Sequence, residues 1–312
     1  MQHLILFKNC MKGTVIGDVI GSHYEIESTK GLSLPFFVEG KSHFTEGSLF
    51  AIATAAKLIG KFETYREAYR ETELHIKYMN INGNTSTDIE GCENFLHGTS
   101  GRNQNLKGSL GNGAAMRVSP VAYVATSKDE LFAMAKESST ATHDTPEAVF
   151  AAQAVALAIF RSLEGMRPDD IHQEIAADSV DVHGGGNLYS KDMNLASLHR
   201  HYQFTTLAYE SVPYAIWIGL KANSFEEAIR YSLHIGGDTN AICSIAGAIA
   251  EARLGIPNQL QCLLTPLKEN APEYYEIMSK FCERYVKGRL PHRPKRLSES
   301  RMLGFYIADV LG

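Results

Sequence analysis

Four short stretches combine carboxylate or imidazole side chains with glycines at spacings that suit chemistry. In GTVIGDVIGSHYE, Gly13, Gly17 and Gly21 recur every fourth residue, and Asp18 and Glu25 stand seven apart. On a helix, residues seven apart share a face two turns from each other. Glycines every fourth residue make a smooth stripe that another helix or a ligand can approach closely. Two carboxylates beside such a stripe suit acid–base catalysis or the support of metal ligands; the same pattern also serves plain helix packing. In SLGNGAAMRVSP, the small residues Gly111, Gly113, Ala114 and Ala115 crowd around Asn112, with Met116 and Arg117 following. Their amides could form a nest for a phosphate or diphosphate, or the stretch could be a tight connection into a helix. Arg117 reads as added charge or as a structural arginine. In THDTPEA, His143 precedes a helix start, where amides and dipole favour an anion. It suits a phosphate contact and a contact to its own backbone equally. In GGDTNAICSIAGAIAEARLGIP, Gly236 and Gly237 permit a sharp entry to Asp238. That aspartate reads as an N-cap, and as a metal ligand only if other oxygens converge on it.

The elements that must position these residues are helices. From Thr45 the chain reads TEGSLFAIATAAKLIG, with Thr45 as N-cap and Gly60 as stop. In THDTPEAVFAAQAVALAIFRSL, Asp144 or Thr145 can cap, Pro146 suits the first turn and Glu147 complements the dipole. Ser224 with Glu227 forms a candidate capping box. The last strong signal is TNAICSIAGAIAEARL, which Asp238 can cap and Gly255 with Pro257 ends. Several of these helices are apolar nearly all round, the mark of burial at the centre of a large bundle. Strand signals are few, and no strand–helix alternation recurs. The pattern predicts one all-α domain over residues 1–285. Residues 165–211, with Gly184, Gly185 and Gly186, read as a loop-rich insertion over one face. Residues 286–312 form a basic tail carrying Lys287, Arg289, Arg293, Lys295, Arg296 and Arg301. It suits a solvated terminus or a contact surface for an acidic partner.

Composition narrows the class. The chain has 312 residues, 44% hydrophobic and 21% charged, which is ordinary for a globular protein large enough to bury its own core. A net charge of -5 argues against nucleic acid or a membrane surface as the main partner. The five cysteines, Cys10, Cys92, Cys243, Cys262 and Cys282, are odd in number and widely spaced, with no CxxC. A disulfide frame or zinc site is not expected, and reduced thiols in a cytoplasmic protein are the simplest reading. The apolar run Leu4 to Phe7 is too short for a signal segment or a membrane span.

Taken in order, GTVIGDVIGSHYE, FTEGSLFAIATAA, GNGAAMRVSPV, THDTPEA, ESVPYAI and GGDTNAICSIAGAIAE resemble the ADP-ribosylglycohydrolase family, from about Gly13 to about Pro257. The resemblance implies an all-α, single orthogonal helical domain and a cleft for ADP-ribose. It implies two magnesium ions and hydrolysis of the bond between ribose C1 and an acceptor, often arginine. By the same resemblance Glu25 and Asp18 are catalytic. Gly111, Asn112, Gly113, Met116 and His143 hold ADP-ribose, with His143 on the phosphate side. Thr45, Glu46, Asp238 and Asn240 are the metal positions. The family usually has Thr-Asp-Asp-Thr where this chain has Thr45, Glu46, Gly47 and Ser48. It usually has Asp-x-Asp-Thr where this chain has Asp238, Thr239, Asn240 and Ala241. Gly47 and Ala241 offer no side-chain ligand, and Asn240 offers a neutral oxygen. Magnesium demands near-octahedral oxygen ligation, and two neighbouring ions need several carboxylates to offset their repulsion. The expectation is therefore a single, weakly held Mg2+ at best, or none. Three roles follow: a metal-assisted hydrolase, an impaired binder of ADP-ribose or of an ADP-ribosylated protein, or a protein that neutralises an ADP-ribosyltransferase by occlusion.

Overall fold

The computed structural model describes residues 10–27, 29–81, 108–179, 189 and 193–286. The apolar run at 4–7, Cys92, the glycines at 184–186 and the basic tail from 287 onward lie outside them. The described elements run α1 (Lys12–Glu27), α2 (Glu46–Leu58), α3 (Tyr65–Ile81), α4 (Gly113–Arg117), α5 (Ser119–Val124), α6 (Lys128–Thr140), α7 (Pro146–Leu163), α8 (Pro168–Ser179), α9 (Leu195–His201), α10 (Ala208–Lys221), α11 (Phe225–Ile235), α12 (Thr239–Leu254), a 3-10 segment (Asn258–Leu264), α13 (Thr265–Asn270) and α14 (Pro272–Val286). No strand occurs among the described residues; one isolated bridge joins Gly111 and Leu207. The fold is all-α.

The glycine stripe decides its centre. A Cβ at Gly13, Gly17 or Gly21 would run into the carbonyl oxygen of Gly247, Cys243 or Thr239 respectively. α1 and α12 are thus antiparallel and pack backbone to backbone, an approach that only a residue without Cβ permits. The stripe serves a helix, not a ligand. α12 is buried along nearly its whole length, and α1, α7, α10 and α11 surround it. α7 is long and apolar enough, by length and composition, to cross a membrane; here most of it is buried inside the bundle.

Local signals set most helix starts. The Thr45, Thr145 and Ser224 hydroxyls accept from the amides of Gly47, Ala148 and Glu227. Each satisfies an N–H that the helix leaves open. The capping box at Ser224 is displaced by one residue, because the Glu227 carboxylate takes the amide of Asn223. Asp238 stands at the N-cap position of α12 but makes no side-chain cap bond. Residues 165–211, expected to be loop-rich, carry α8, α9 and the start of α10. Pro168, Asp169 and Asp170 in the first turn of α8 suit a helix start that weak apolar periodicity concealed. α14 follows the segment read as the last strong helix. It buries Tyr274, Ile277, Met278 and Phe281, an i, i+3, i+4, i+7 stripe on an otherwise polar sequence.

Candidate active site

The C-terminal half of α1, the N-terminus of α2 and the N-terminus of α12 meet at one end of the central pair. Asp18 is fully buried there. Its Oδ1 accepts from Thr45 Oγ1 at 2.7 Å, and its Oδ2 accepts from the Thr45 amide at 2.7 Å and from Ser48 Oγ. Both oxygens are thus committed to the start of α2. Asp18, expected to share catalysis with Glu25, pins the cap of the helix that carries Glu46. Burial pushes its carboxyl up, against the hydrogen bonds from Ser48 and Thr45 that hold it down.

Glu25 lies two turns further along the same face of α1. Burial pushes its pKa up to about 9, and the negative side chains of Asp238, Glu46 and Asp18 all push the same way. It also sits in the last turn of α1, where the helix dipole disfavours an anion. Burial and its like-charged neighbours thus both favour the protonated form of Glu25. Asp238 is buried and pushed up to about 6, chiefly by burial, while a hydrogen bond from Asn112 holds it back. Burial thus raises both carboxyls, and Asp238 adds to the rise at Glu25.

Asn112 is the joint between the segments. Its Nδ2 donates to Asp238 Oδ2 at 2.7 Å and to Ser211 Oγ at 3.1 Å, and its amide donates to Thr206 O at 2.8 Å. The Gly111 amide donates to Ser109 Oγ. The amides of Gly111 and Asn112 therefore have internal partners, and the nest expected over this stretch is closed at these two residues. Gly113 opens α4, and Met116 and Arg117 end it. Arg117 proves structural: its guanidinium lies 3.9 Å over the Tyr69 ring and donates through Nη2 to Ser138 O and Thr142 Oγ1. Thr142 Oγ1 lies 2.6 Å from His143 Nδ1. Arg117 and His143 thus share the Thr142 hydroxyl. Nε2 faces the Gly111 end of the loop: a Cβ there would stand 3.6 Å from it. Burial and then the Arg117 charge push His143 well below the usual imidazole range, so it is a neutral donor.

The metal positions are close together in the fold but poorly disposed as ligands. Thr45 Oγ1 is occupied by Asp18 and the Gly47 amide. Asn240 Oδ1 accepts from the Ala241 amide at 2.7 Å, within its own helix. A Cβ on Gly47 would collide with the thioether end of Met116, so Met116 fills the space a side chain at position 47 would use. Among the described residues no three His, Cys, Asp or Glu side chains are grouped to hold a metal. As arranged, these residues do not fit a pair of magnesium ions.

Ser211, Thr206 and Tyr202 support the site without having been singled out. Ser211 lies in the ESVPYAI segment, whose small hydroxyl was the available signal. Tyr202 packs its ring where a Cβ on Gly237 would sit and adds to the surroundings of Asp238; nothing local in the sequence marks it.

Comparison with known proteins places the whole chain. A family profile described as ADP-ribosylglycohydrolase matches residues 5–293. ADP-ribosylhydrolase ARH3 of Homo sapiens is 25% identical over 316 aligned residues, covering 82% of this chain and 87% of that protein. An uncharacterized protein of Archaeoglobus fulgidus is 24% identical, covering 87% of this chain and 96% of that one. A solved structure titled ADP-ribosylglycohydrolase-related protein complex superposes with a TM-score of 0.58 at 17% identity, covering 90% of this chain and 98% of that one, a likeness of fold.

Proposed function

The chain belongs to the ADP-ribosylglycohydrolase family, and from that premise we propose that it hydrolyses the bond between ADP-ribose and an acceptor side chain, arginine first among the acceptors. The observation that carries this reading is the Asn112–Asp238 hydrogen bond, which joins the GNG loop to the mouth of α12 within the electrostatic reach of Glu25. In the proposed reaction Glu25, protonated at neutral pH, donates to the leaving atom of the acceptor as its bond to ribose C1 breaks. Asp238, ionised above about pH 6, takes the proton of the attacking water. His143, whose Nε2 faces the Gly111 end of the loop, lies on the diphosphate side. Protons balance: one leaves Glu25 for the acceptor, and one passes from water to Asp238. Magnesium in this reading is a single weakly held ion or absent, and no step depends on it.

A second reading, an impaired binder of ADP-ribose or of an ADP-ribosylated protein, is favoured by two observations: the Met116 thioether against Gly47, and the Asn240 oxygen turned into its own helix. Calorimetry with ADP-ribose and with magnesium, alone and together, is run beside turnover of ADP-ribosyl-arginine and ADP-ribosyl-serine. The hydrolase reading expects release of free ADP-ribose, with the faster substrate naming the acceptor. ADP-ribose heat with neither substrate cleaved selects the binder. Binding should also raise thermal stability, by about 2.7 kcal/mol at a hundredfold excess over the dissociation constant. No heat and no melting shift at millimolar ADP-ribose removes the site assignment.

A further inference from the structure

At the opposite end of the α1–α12 pair from the cleft, the chain brings two thiols together from nearly its full described length. Cys10 precedes α1 and is completely buried; Cys282 lies on α14 and is half-buried. The Cys282 thiol donates to the Cys10 carbonyl at 2.9 Å across 272 residues of sequence. The two side chains are also within hydrogen-bonding reach of each other. Met11, between Cys10 and α1, is the only non-glycine among the described residues with a positive φ, at 53°. A bulky residue enters this region only where the surroundings force it, and here the turn aims Cys10 at α14. Both thiols are free, and neither belongs to the cleft.

We propose that Cys10 and Cys282 are a redox-active dithiol that closes to an intramolecular disulfide with a small-molecule disulfide such as glutathione disulfide as oxidant. Cys282, the half-buried partner, is the entry point. Its thiolate attacks one sulfur of the oxidant and expels one thiolate, leaving a mixed disulfide. The Cys10 sulfur then attacks Cys282 Sγ and expels the second thiolate. The two protons lost by the cysteines end on the two released thiols, so one oxidant is reduced and two protein thiols are oxidised. Cys10 is the resolving partner because burial pushes its thiol well up, followed by the effect of Cys282 itself; Glu251 adds to the rise and Lys12 opposes it. Such a thiol is a poor first nucleophile but reacts once the electrophile is tethered beside it. The bond would tie α14, which packs on α2, to the base of α1. It thus braces from outside two of the helices that carry the cleft. Disulfides in reducing compartments are mostly transient ones of this kind.

The test uses the full reduced chain incubated with glutathione disulfide. The denatured thiol count should fall by two from the five in the sequence. The intact mass should drop by two hydrogens, a peptide map should join the peptides of Cys10 and Cys282, and dithiothreitol should reverse all three. The oxidised form should melt higher, because closing so long a loop restricts the unfolded chain. Cys282→Ser should lose no thiol under the same treatment, and since that side chain is only half-buried the variant keeps the test open should Cys10→Ser fail to fold. A lasting glutathione adduct on Cys282, a link between any other pair, no loss of thiol, or a lower melting point on oxidation overturns the proposal.

Discussion

The antiparallel pair α1–α12 carries a glutamate at each end, Glu251 buried and Glu25 partly buried, and the two sites differ in what surrounds the carboxyl. At the closed end Glu251 is 2% exposed, its Oε2 accepts from the Gly13 amide at 2.9 Å, and Lys12 is nearby. Burial pushes it up to about 7, with the Gly13 amide and then the Lys12 charge opposing the rise. At the cleft end Glu25 is pushed up to about 9, and all three named neighbours, Asp238, Glu46 and Asp18, are negative. Desolvation raises both. The difference lies in company: the first turn of a helix at one end, like charges at the other. A buried glutamate with an amide and an ammonium beside it is a structural clasp. One crowded by carboxylates is destabilised, and that imbalance is the mark of a functional site.

The largest effect should separate the two ends by activity. Glu25→Gln should cut turnover of an ADP-ribosyl substrate by about 10²- to 10⁴-fold, the usual range for loss of a general acid, while ADP-ribose binding by calorimetry is kept. Glu251→Gln should leave turnover unchanged. Equal losses in both variants would mean that the ends do not differ in role.

Next in size is the strip that joins the ends. Gly17→Ala drives a Cβ into the Cys243 carbonyl. Forcing backbones apart in a packed interior costs about 1–3 kcal/mol and occasionally more. Urea unfolding should show that loss, with turnover falling as the cleft end shifts. A variant as stable as the parent would show that α1 and α12 can separate freely, against the close approach described.

Stability against pH sharpens the comparison further. A carboxyl whose folded pKa is raised keeps its proton when the unfolded chain has lost it, so its contribution falls as pH rises between the two values. For Glu25 that window runs from 4.5 to about 9, and for Glu251 from 4.5 to about 7. The fall is at most about 1.4 kcal/mol per pH unit. Denaturation midpoints should therefore show Glu25→Gln gaining on the parent continuously into the alkaline range, and Glu251→Gln gaining nothing further above neutral. Parallel curves for the two variants would contradict the difference in surroundings.

The smallest expected effect concerns magnesium. Gly47 lies inside α2 without a positive φ, so a side chain is sterically limited only by Met116 and Thr45. Gly47→Asp with Asn240→Asp should gain little magnesium affinity by calorimetry, because the Met116 thioether fills the space. Adding Met116→Ala should raise it. Tight binding by the first pair of changes alone would show that Met116 yields without hindrance.

Local chemistry was legible in the sequence. The caps at Thr45, Thr145 and Ser224 depend on residues two or three positions away, and the side chains bond as the sequence suggests. Asp238 stands at a fourth cap position, but its Oδ2 accepts from Asn112, 126 residues earlier. The glycine stripe announced a close approach but not the approaching partner. Arg117 and His143 could each have met a phosphate. The Tyr69 ring on α3 and the Thr142 hydroxyl decide that Arg117 stays inside, with His143 tied to the same hydroxyl.

By itself, then, the sequence determined that the chain is helical, where its main helices begin, and which six segments mark its family. These rest on periodicity, capping and residue identity, all of which act within a few positions along the chain. Only the tertiary structure decided that Asp18 serves the cap of α2, that Glu25 sits among like charges, that Met116 fills the place beside Gly47, and that Cys10 meets Cys282. Each of those depends on charge, desolvation or volume shared between residues far apart in sequence, and such quantities exist only once the helices have packed.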